Sequence, residues 1–258
     1  MKKLRAFYFS GTGNTLYVTR RLCEKLRPGF DTAVFDISSE AAAAELQRAD
    51  CILLAFPVYG SSPPVPMRRF LFRHAAKFKG KPVYIVATQY MFSGDGAASL
   101  GRAVEKCGGR VVGAEHFRMP NNLADCKIFR IKNGDALAPM LARTDKRIDA
   151  FAAAILAGNP KRRGFNPVSH AVGFCCQRAL FRLHENRKKK LLKVDVTKCA
   201  GCGACVAKCP VHNLRLENGF AVPQGECALC YRCINLCPMR AITLVGKETR
   251  AQYKGPPA

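Results

Sequence analysis

Over the first 157 residues, short apolar runs alternate with stretches of helical spacing. Residues 4–9, 33–37, 51–56, 83–88 and 110–117 read as strands, and residues 14–26, 39–49, 64–78 and 97–107 as helices. Residues 51–56 are almost wholly apolar, as a central parallel strand buried on both faces requires. Ser38 or Ser39 is expected to cap the helix after it. A last helix carries Leu137, Met140, Leu141, Ile148, Phe151, Ile155 and Leu156 along one side, with Asp135 before it; Gly158, Asn159 and Pro160 end it. Five strands alternating with helices predict a doubly wound, parallel α/β domain over residues 1–157.

Residues 158–193 break this rhythm. They hold ten basic residues against one acid, Glu185. Helical spacing over 168–183 puts Val172, Cys176, Leu180 and Leu183 on one side, which is expected to pack on a neighbouring domain while the basic side meets solvent. So long a connector marks a domain boundary. Beyond it lies an internal repeat, CAGCGACVAKCP at 199–210 and CALCYRCINLCP at 227–238. Between the copies, LRLENGFAV alternates around Asn218 and Gly219, a preferred pair for a tight hairpin. Residues 193–196 and 241–244 are expected to form a second two-stranded ribbon. The repeat region spans 194–246, and 247–258 read as a tail.

With 42 Lys and Arg against 18 Asp and Glu, the formal charge is +24. Such a field favours acidic partners, anionic membrane surfaces or nucleic acid without choosing among them. The basic runs at 161–163 and 187–190 accompany no nucleic-acid-binding motif, so they read as solvated or docking surfaces. No apolar segment approaches a membrane span, and the opening MKKLRAFYFSGTGNT has too short an apolar stretch for a signal peptide. The expectation is a cytoplasmic protein, with at most peripheral membrane contact, whose 14 cysteines stay reduced or bind metal.

Each copy of the repeat spaces its cysteines C-x2-C-x2-C-x3-C-P. Three thiolates so close in sequence can wrap one iron–sulfur cubane, and the fourth, held away and followed by proline, reaches a second one. Zinc modules instead bring together two C-x2-C pairs across a wider gap. The spacing resembles that of bacterial two-cluster ferredoxins. That resemblance implies two [4Fe–4S] clusters, one on Cys199, Cys202, Cys205 and Cys237, the other on Cys209, Cys227, Cys230 and Cys233. Gly201 and Gly203 would ease backbone approach, and Val206, Leu214, Leu229 and Ile234 would exclude water. So small a region needs its clusters for stability. Cys23, Cys51, Cys107 and Cys126 read as small core residues, and the adjacent Cys175 and Cys176 as packed thiols rather than ligands.

Directly after the first strand come Ser10, Gly11, Thr12, Gly13, Asn14 and Thr15, then a helix. Small residues let several N–H groups converge on an anion, with hydroxyls and the helix N-terminus adding to the attraction. Leu16 stands where a dinucleotide fingerprint needs its third glycine, and the Gly-Lys-Ser/Thr ending of a nucleotide P-loop is missing. The loop resembles the FMN-phosphate loop of flavodoxins, which implies strand order 2-1-3-4-5. The resemblance also implies one flavin wall at Pro57, Val58, Tyr59 and Gly60 and another at Gln89, Tyr90, Phe92, Ser93 and Gly94, at carboxyl ends of strands. Tyr59 is the preferred stacking residue, then Tyr90 or Phe92; the chain has no tryptophan.

Residues 1–157 and 194–246 together resemble the ferredoxin–flavodoxin fusion family of anaerobes, a flavodoxin-like α/β domain joined to a small α+β ferredoxin-like domain. The resemblance implies FMN and two [4Fe–4S] clusters in one chain, an electron carrier between them, and an acidic redox partner protein or a small acceptor. The alternative is a flavin-dependent reductase of a small organic substrate with the clusters as relay. No catalytic acid–base pair supports it: His74, His116, His170, His184 and His212 are scattered, and Asp95 reads as a cap or turn residue rather than a proton donor.

Overall fold

The computed structural model describes residues 1–257, the Cys176 side chain excepted. Strands β1 (Lys2–Tyr8), β2 (Phe30–Asp36), β3 (Cys51–Pro57), β4 (Pro82–Gln89) and β5 (Arg110–Arg118) form one parallel sheet in the order β2-β1-β3-β4-β5. Helices α1 (Asn14–Leu26), α2 (Ala41–Arg48), α3 (Val65–Arg73), α4 (Gly96–Lys106) and α5 (Ala138–Leu156) cover it. The period of two along each strand feeds two cores. Leu4, Ala6 and Leu53 meet Val18 and Leu22 of α1 and Ile148 and Phe151 of α5. Phe7, Ile52, Leu54 and Phe56 meet Leu46 of α2, Met67 and Leu71 of α3 and Leu100 and Val104 of α4. Two entrances differ from expectation. Both Ser38 and Ser39 turn back to Asp36 (Oγ to Asp36 Oδ1 2.6 Å, Oγ to Asp36 O 2.8 Å), so α2 begins at Ala41 without a side-chain cap. The stretch 64–78 splits into α3 and a 3₁₀ turn, Ala75–Phe78.

The connector is helical, but its inward face is not the apolar one. It runs as α6 (Pro167–Val172), a π-helical turn (Gly173–Arg178) and α7 (Ala179–Lys189). Val172, Leu180 and Leu183 point outward, Leu183 being 77% exposed, while Arg178 is buried. The predicted Cys176 contact falls on a side chain outside the described residues, and Cys175 is exposed rather than packed. Two causes act together. A π turn advances by more residues than an α turn, so the residues beyond it face a direction that a 3.6-residue period misplaces. The buried Asp95 carboxylate also demands a cation, and Arg178 supplies one while donating to Ser61 O (Nε 3.1 Å, Nη2 3.0 Å). His170 Nδ1 (2.9 Å) and Arg102 Nη2 (2.7 Å) reach the same carboxylate. Asp95 is therefore an ion-pair hub, and the expected capping hydrogen bond at the start of α4 is not made. Ser61 to Gln177, Arg68 to Glu185 and Phe181 against Gly60 complete the seam.

The repeat region builds a ribbon of β6 (Lys193–Val194) and β9 (Ile242–Thr243), a hairpin of β7 (Leu214–Glu217) and β8 (Phe220–Pro223), and short helices α8 (Ala204–Ala207) and α9 (Arg232–Leu236). Asn218 and Gly219 both have positive φ (50° and 80°), the two left-handed positions of a type I′ turn. Leu214, Ile234, Ile242 and Leu244 form its small core around the repeat's cysteines, with Val206 and Leu229 partly buried beside them. The lobe does not hang free: Ala228 and Cys230 join the α2–α3–α4 side core, and Tyr253 of the C-terminal stretch joins the other. No helix among the described residues is long and apolar enough to cross a membrane.

Candidate functional site

The loop after β1 turns sharply because Gly13 adopts φ 93°, which starts α1 without a side-chain cap. Gly13 N donates to Ser10 Oγ (3.1 Å). The N–H groups of Gly11, Thr12, Asn14 and Thr15 find no protein acceptor among the described residues, so unspent donors gather at a helix N-terminus. This donor set fits a phosphate. The side chains divide differently from expectation. Thr15 pairs with Thr88 in the interior (2.8 Å), Asn14 donates to Pro120 O (2.9 Å), and Thr12 accepts from Asn122 Nδ2 (2.9 Å).

A cavity at the carboxyl ends of the strands is floored by Ser10, Gly11, Thr12, Asn14 and Thr15. Pro57, Val58 and Tyr59 form one wall; Thr88, Gln89 and Tyr90 form the other. The remaining candidates lie off it. Gly13 backs the loop, and an added Cβ there would meet Pro256 of the C-terminal stretch. Gly60 and Gly94 face the connector at Phe181 and Gly173. Ser93 hydrogen-bonds buried His116, and Phe92 lies on the surface, 50% exposed. The cavity also has a wall that the motifs did not announce, Pro120 to Leu123, from the loop after β5. Its signal was readable: a Pro-Asn-Asn string after the fifth strand falls at the same sheet edge where ligands bind.

The eight repeat cysteines stand in two groups. Cys199, Cys202, Cys205 and Cys237 line one small cavity, with Leu216 and Ile242 beside them. Cys209, Cys227, Cys230 and Cys233 line the other, with Leu214, Ile234 and Leu244. Backbone N–H groups already point at sulfur: Asn213 N to Cys209 Sγ 3.2 Å, Leu229 N to Cys227 Sγ 3.3 Å, Ala241 N to Cys237 Sγ 3.4 Å. Burial pushes the Cys227 thiol up to about 12 and raises Cys205, Cys230 and Cys233 as well, a cost that bound iron removes by stabilising thiolate. Among the described residues no three His, Cys, Asp or Glu side chains converge where a single ion could sit. Four thiols spread around a cavity fit a cubane better than one zinc ion. Of the other cysteines, Cys23 and Cys51 are core residues, and burial pushes Cys23 up to about 12.

The second cysteine group touches the phosphate-type loop. Arg232, between Cys230 and Cys233, donates to Ser10 O (2.6 Å) and Gly11 O (3.2 Å). Tyr59 lies close enough to feel Cys230 and Cys227; burial first, then those thiols, hold its hydroxyl well above its ordinary pKa. Asn122, which binds Thr12, accepts from Asn235 Nδ2 of α9 (3.0 Å). Asp125 Oδ2 accepts from Leu244, Val245 and Gly246 N (2.5, 2.8 and 3.0 Å). No spacing rule pointed to Arg232, Asn122 or Asp125. Gly11 records how tight the contact is, since an added Cβ would lie 2.0 Å from Cys230 O. Gly11→Ala must shift backbone, and it is expected to cost about 1–3 kcal/mol of docking stability. Melting followed by cluster absorbance checks it; an unchanged melt would mean that the two loops do not meet.

A phosphate-type loop on a 2-1-3-4-5 sheet beside a doubled four-cysteine motif defines a two-module redox protein. The chain belongs to the flavodoxin domain family, whose model matches residues 6–159; a 4Fe–4S binding domain matches residues 192–215. It is similar to Ferredoxin-2 of Desulfomicrobium norvegicum, 60% identical over 30 residues, 12% of this chain and 51% of that protein. The chain thus spans about half the length of the curated relative it matches. Among solved structures, it is similar to two-electron reduced Megasphaera elsdenii flavodoxin (22% identity, 58% of this chain and 99% of that one, TM-score 0.42). Fusobacterium nucleatum flavodoxin bound to flavin mononucleotide is another (19%, 60% and 97%, TM-score 0.43). The two domains imply FMN and a [4Fe–4S] cluster and support an electron-transfer role for an iron–sulfur flavoprotein.

Proposed function

We propose that the chain is an intramolecular electron carrier that passes electrons between two [4Fe–4S] clusters and FMN, and on to an acidic redox partner or a small acceptor. When bound, clusters supply single-electron transfer, and the flavin accepts one or two electrons. Cys199, Cys202, Cys205 and Cys237 would hold one cluster, and Cys209, Cys227, Cys230 and Cys233 the other. The backbone of residues 11–15 would take the FMN phosphate, and Tyr59 and Tyr90 would flank the ring. The observation that carries the reading is the seat of the Cys230 loop on the Ser10–Gly11 backbone, fastened by Arg232. That contact makes the two modules neighbours within one molecule, so exchange needs no diffusional encounter.

The residues support a carrier through what they exclude and orient. Leu214, Ile234 and Leu244 keep water from the Cys209 group, and N–H groups aimed at sulfur favour the reduced, more negative state. Anaerobic purification followed by flavin, iron and acid-labile sulfide analysis tests the reading. About one FMN with eight iron and eight sulfide per chain is expected, the content of two [4Fe–4S] clusters. Four iron would end the two-cluster assignment, and eight iron with no flavin after reconstitution would end the carrier. Stopped-flow reduction in which clusters and flavin fill independently would end the exchange.

A further inference from the structure

A second cavity, about 540 Å³, lies between the end of β5, the loop after it and the first turns of α5. It borders the flavin-type cavity, since Tyr90, Pro120 and Asn121 line both. Its size falls in the range of small-molecule sites, roughly 300–1,000 Å³. Its charge is one-sided: Arg118, Arg130, Lys132, Arg143 and Arg147 line it, with no acidic residue among the lining. Arg147 is answered from outside by Glu115 (2.8 Å). Arg118 spends its Nε–H on Tyr90 O (3.0 Å), which leaves its charge uncompensated. Arg118, Arg130, Lys132 and Arg143 form no ion pair among the described residues.

Part of the basic surface elsewhere is answered by carboxylates. In the connector Arg162, Arg163 and Arg178 each find a carboxylate, on Glu105, Glu115 and Asp95. Four unanswered cations around one concavity repel each other, and low-dielectric walls focus their field on the space between them. Arginine forks match phosphate oxygens two at a time. The lining also holds apolar side chains, Leu137, Pro139 and Met140. The occupant is thus anionic and carries an uncharged part as well.

We propose that this cavity binds a phosphate-bearing small molecule of nucleotide size, with its phosphates on Arg118, Arg130, Lys132 and Arg143 and its uncharged part against Leu137, Pro139 and Met140. The site uses none of the phosphate-type loop after β1 and shares only Tyr90, Pro120 and Asn121 with the flavin-type cavity. Calorimetric titration of NADP⁺, ADP and inorganic pyrophosphate into the cluster-loaded full chain tests it. At least one nucleotide is expected to bind at a single saturable site, more tightly than pyrophosphate. Arg130→Gln with Arg143→Gln is expected to weaken that binding at least tenfold with flavin and iron content unchanged. Arg187→Gln with Lys190→Gln, the same loss of charge on the connector, is expected to change it less than twofold. Equal loss in the two pairs would reduce the effect to the general field. Pyrophosphate binding as tightly as the nucleotides, or no saturable binding at all, would likewise overturn the site.

Discussion

Asp95→Asn is expected to destabilise the seat of the connector by about 3–5 kcal/mol, the range for removing one partner of a buried ion pair. The side chain is fully buried, and the change leaves the Arg178 guanidinium, itself 3% exposed, without a counter-ion. The loss should concentrate in one region, because Asp95 lines neither the flavin-type cavity nor the cysteine cavities. Native-state trypsin digestion reads it directly: the π turn holds Arg178 and α7 holds Arg182, Arg187, Lys188 and Lys189, and cleavage there should rise by about two orders of magnitude or more, following the opening free energy. Arg178→Met should cost less, since Asp95 keeps Arg102 and His170. The double variant should recover part of the loss, because an uncharged pair leaves no stranded charge. A connector as protected in Asp95→Asn as in the parent would show that this hub does not hold it.

Cys230→Ser and Cys202→Ser are expected to part company although both occupy the same kind of position in the repeat. Each removes one proposed thiolate, so each should lose about four of eight irons, one [4Fe–4S] cluster's worth. Their consequences for the rest of the molecule differ. Cys230 is buried in the α2–α3–α4 side core and its carbonyl abuts Gly11, whereas Cys202 is exposed. Since metal binding is folding free energy for a small lobe, the Cys230 variant should also loosen the seam and lose most of the exchange with flavin. The Cys202 variant should keep the seam and a flavin-exchanging cluster. Iron analysis with anaerobic stopped-flow separates the two, and equal exchange rates would remove the special standing of the Cys230 loop.

The local patterns were legible wherever one physical cause ruled. The central strand was readable because a parallel strand buried on both faces must be apolar throughout, and Cys51–Pro57 is. The Asn218–Gly219 hairpin was readable because two consecutive positive φ angles restrict the residue choice. The α2 cap misled because Ser38 and Ser39 had a nearer acceptor set in Asp36. The connector misled for a deeper reason. Its apolar stripe was real, but a buried carboxylate on another element outweighed it, and a π turn shifted the phase of the helix beyond.

By itself, the sequence determined the doubly wound sheet, the loop of small residues after β1 and the doubled cysteine run, since backbone sterics and short spacings act within a few residues. Tertiary structure alone decided which surfaces meet. Arg232 reaches Ser10 and Gly11 across more than two hundred residues, Asn122 joins Thr12 to α9, and five cations from β5, the loop after it and α5 surround one cavity. Those pairings depend on how whole elements pack and which buried charges must be answered, and neither leaves a periodic trace along the chain.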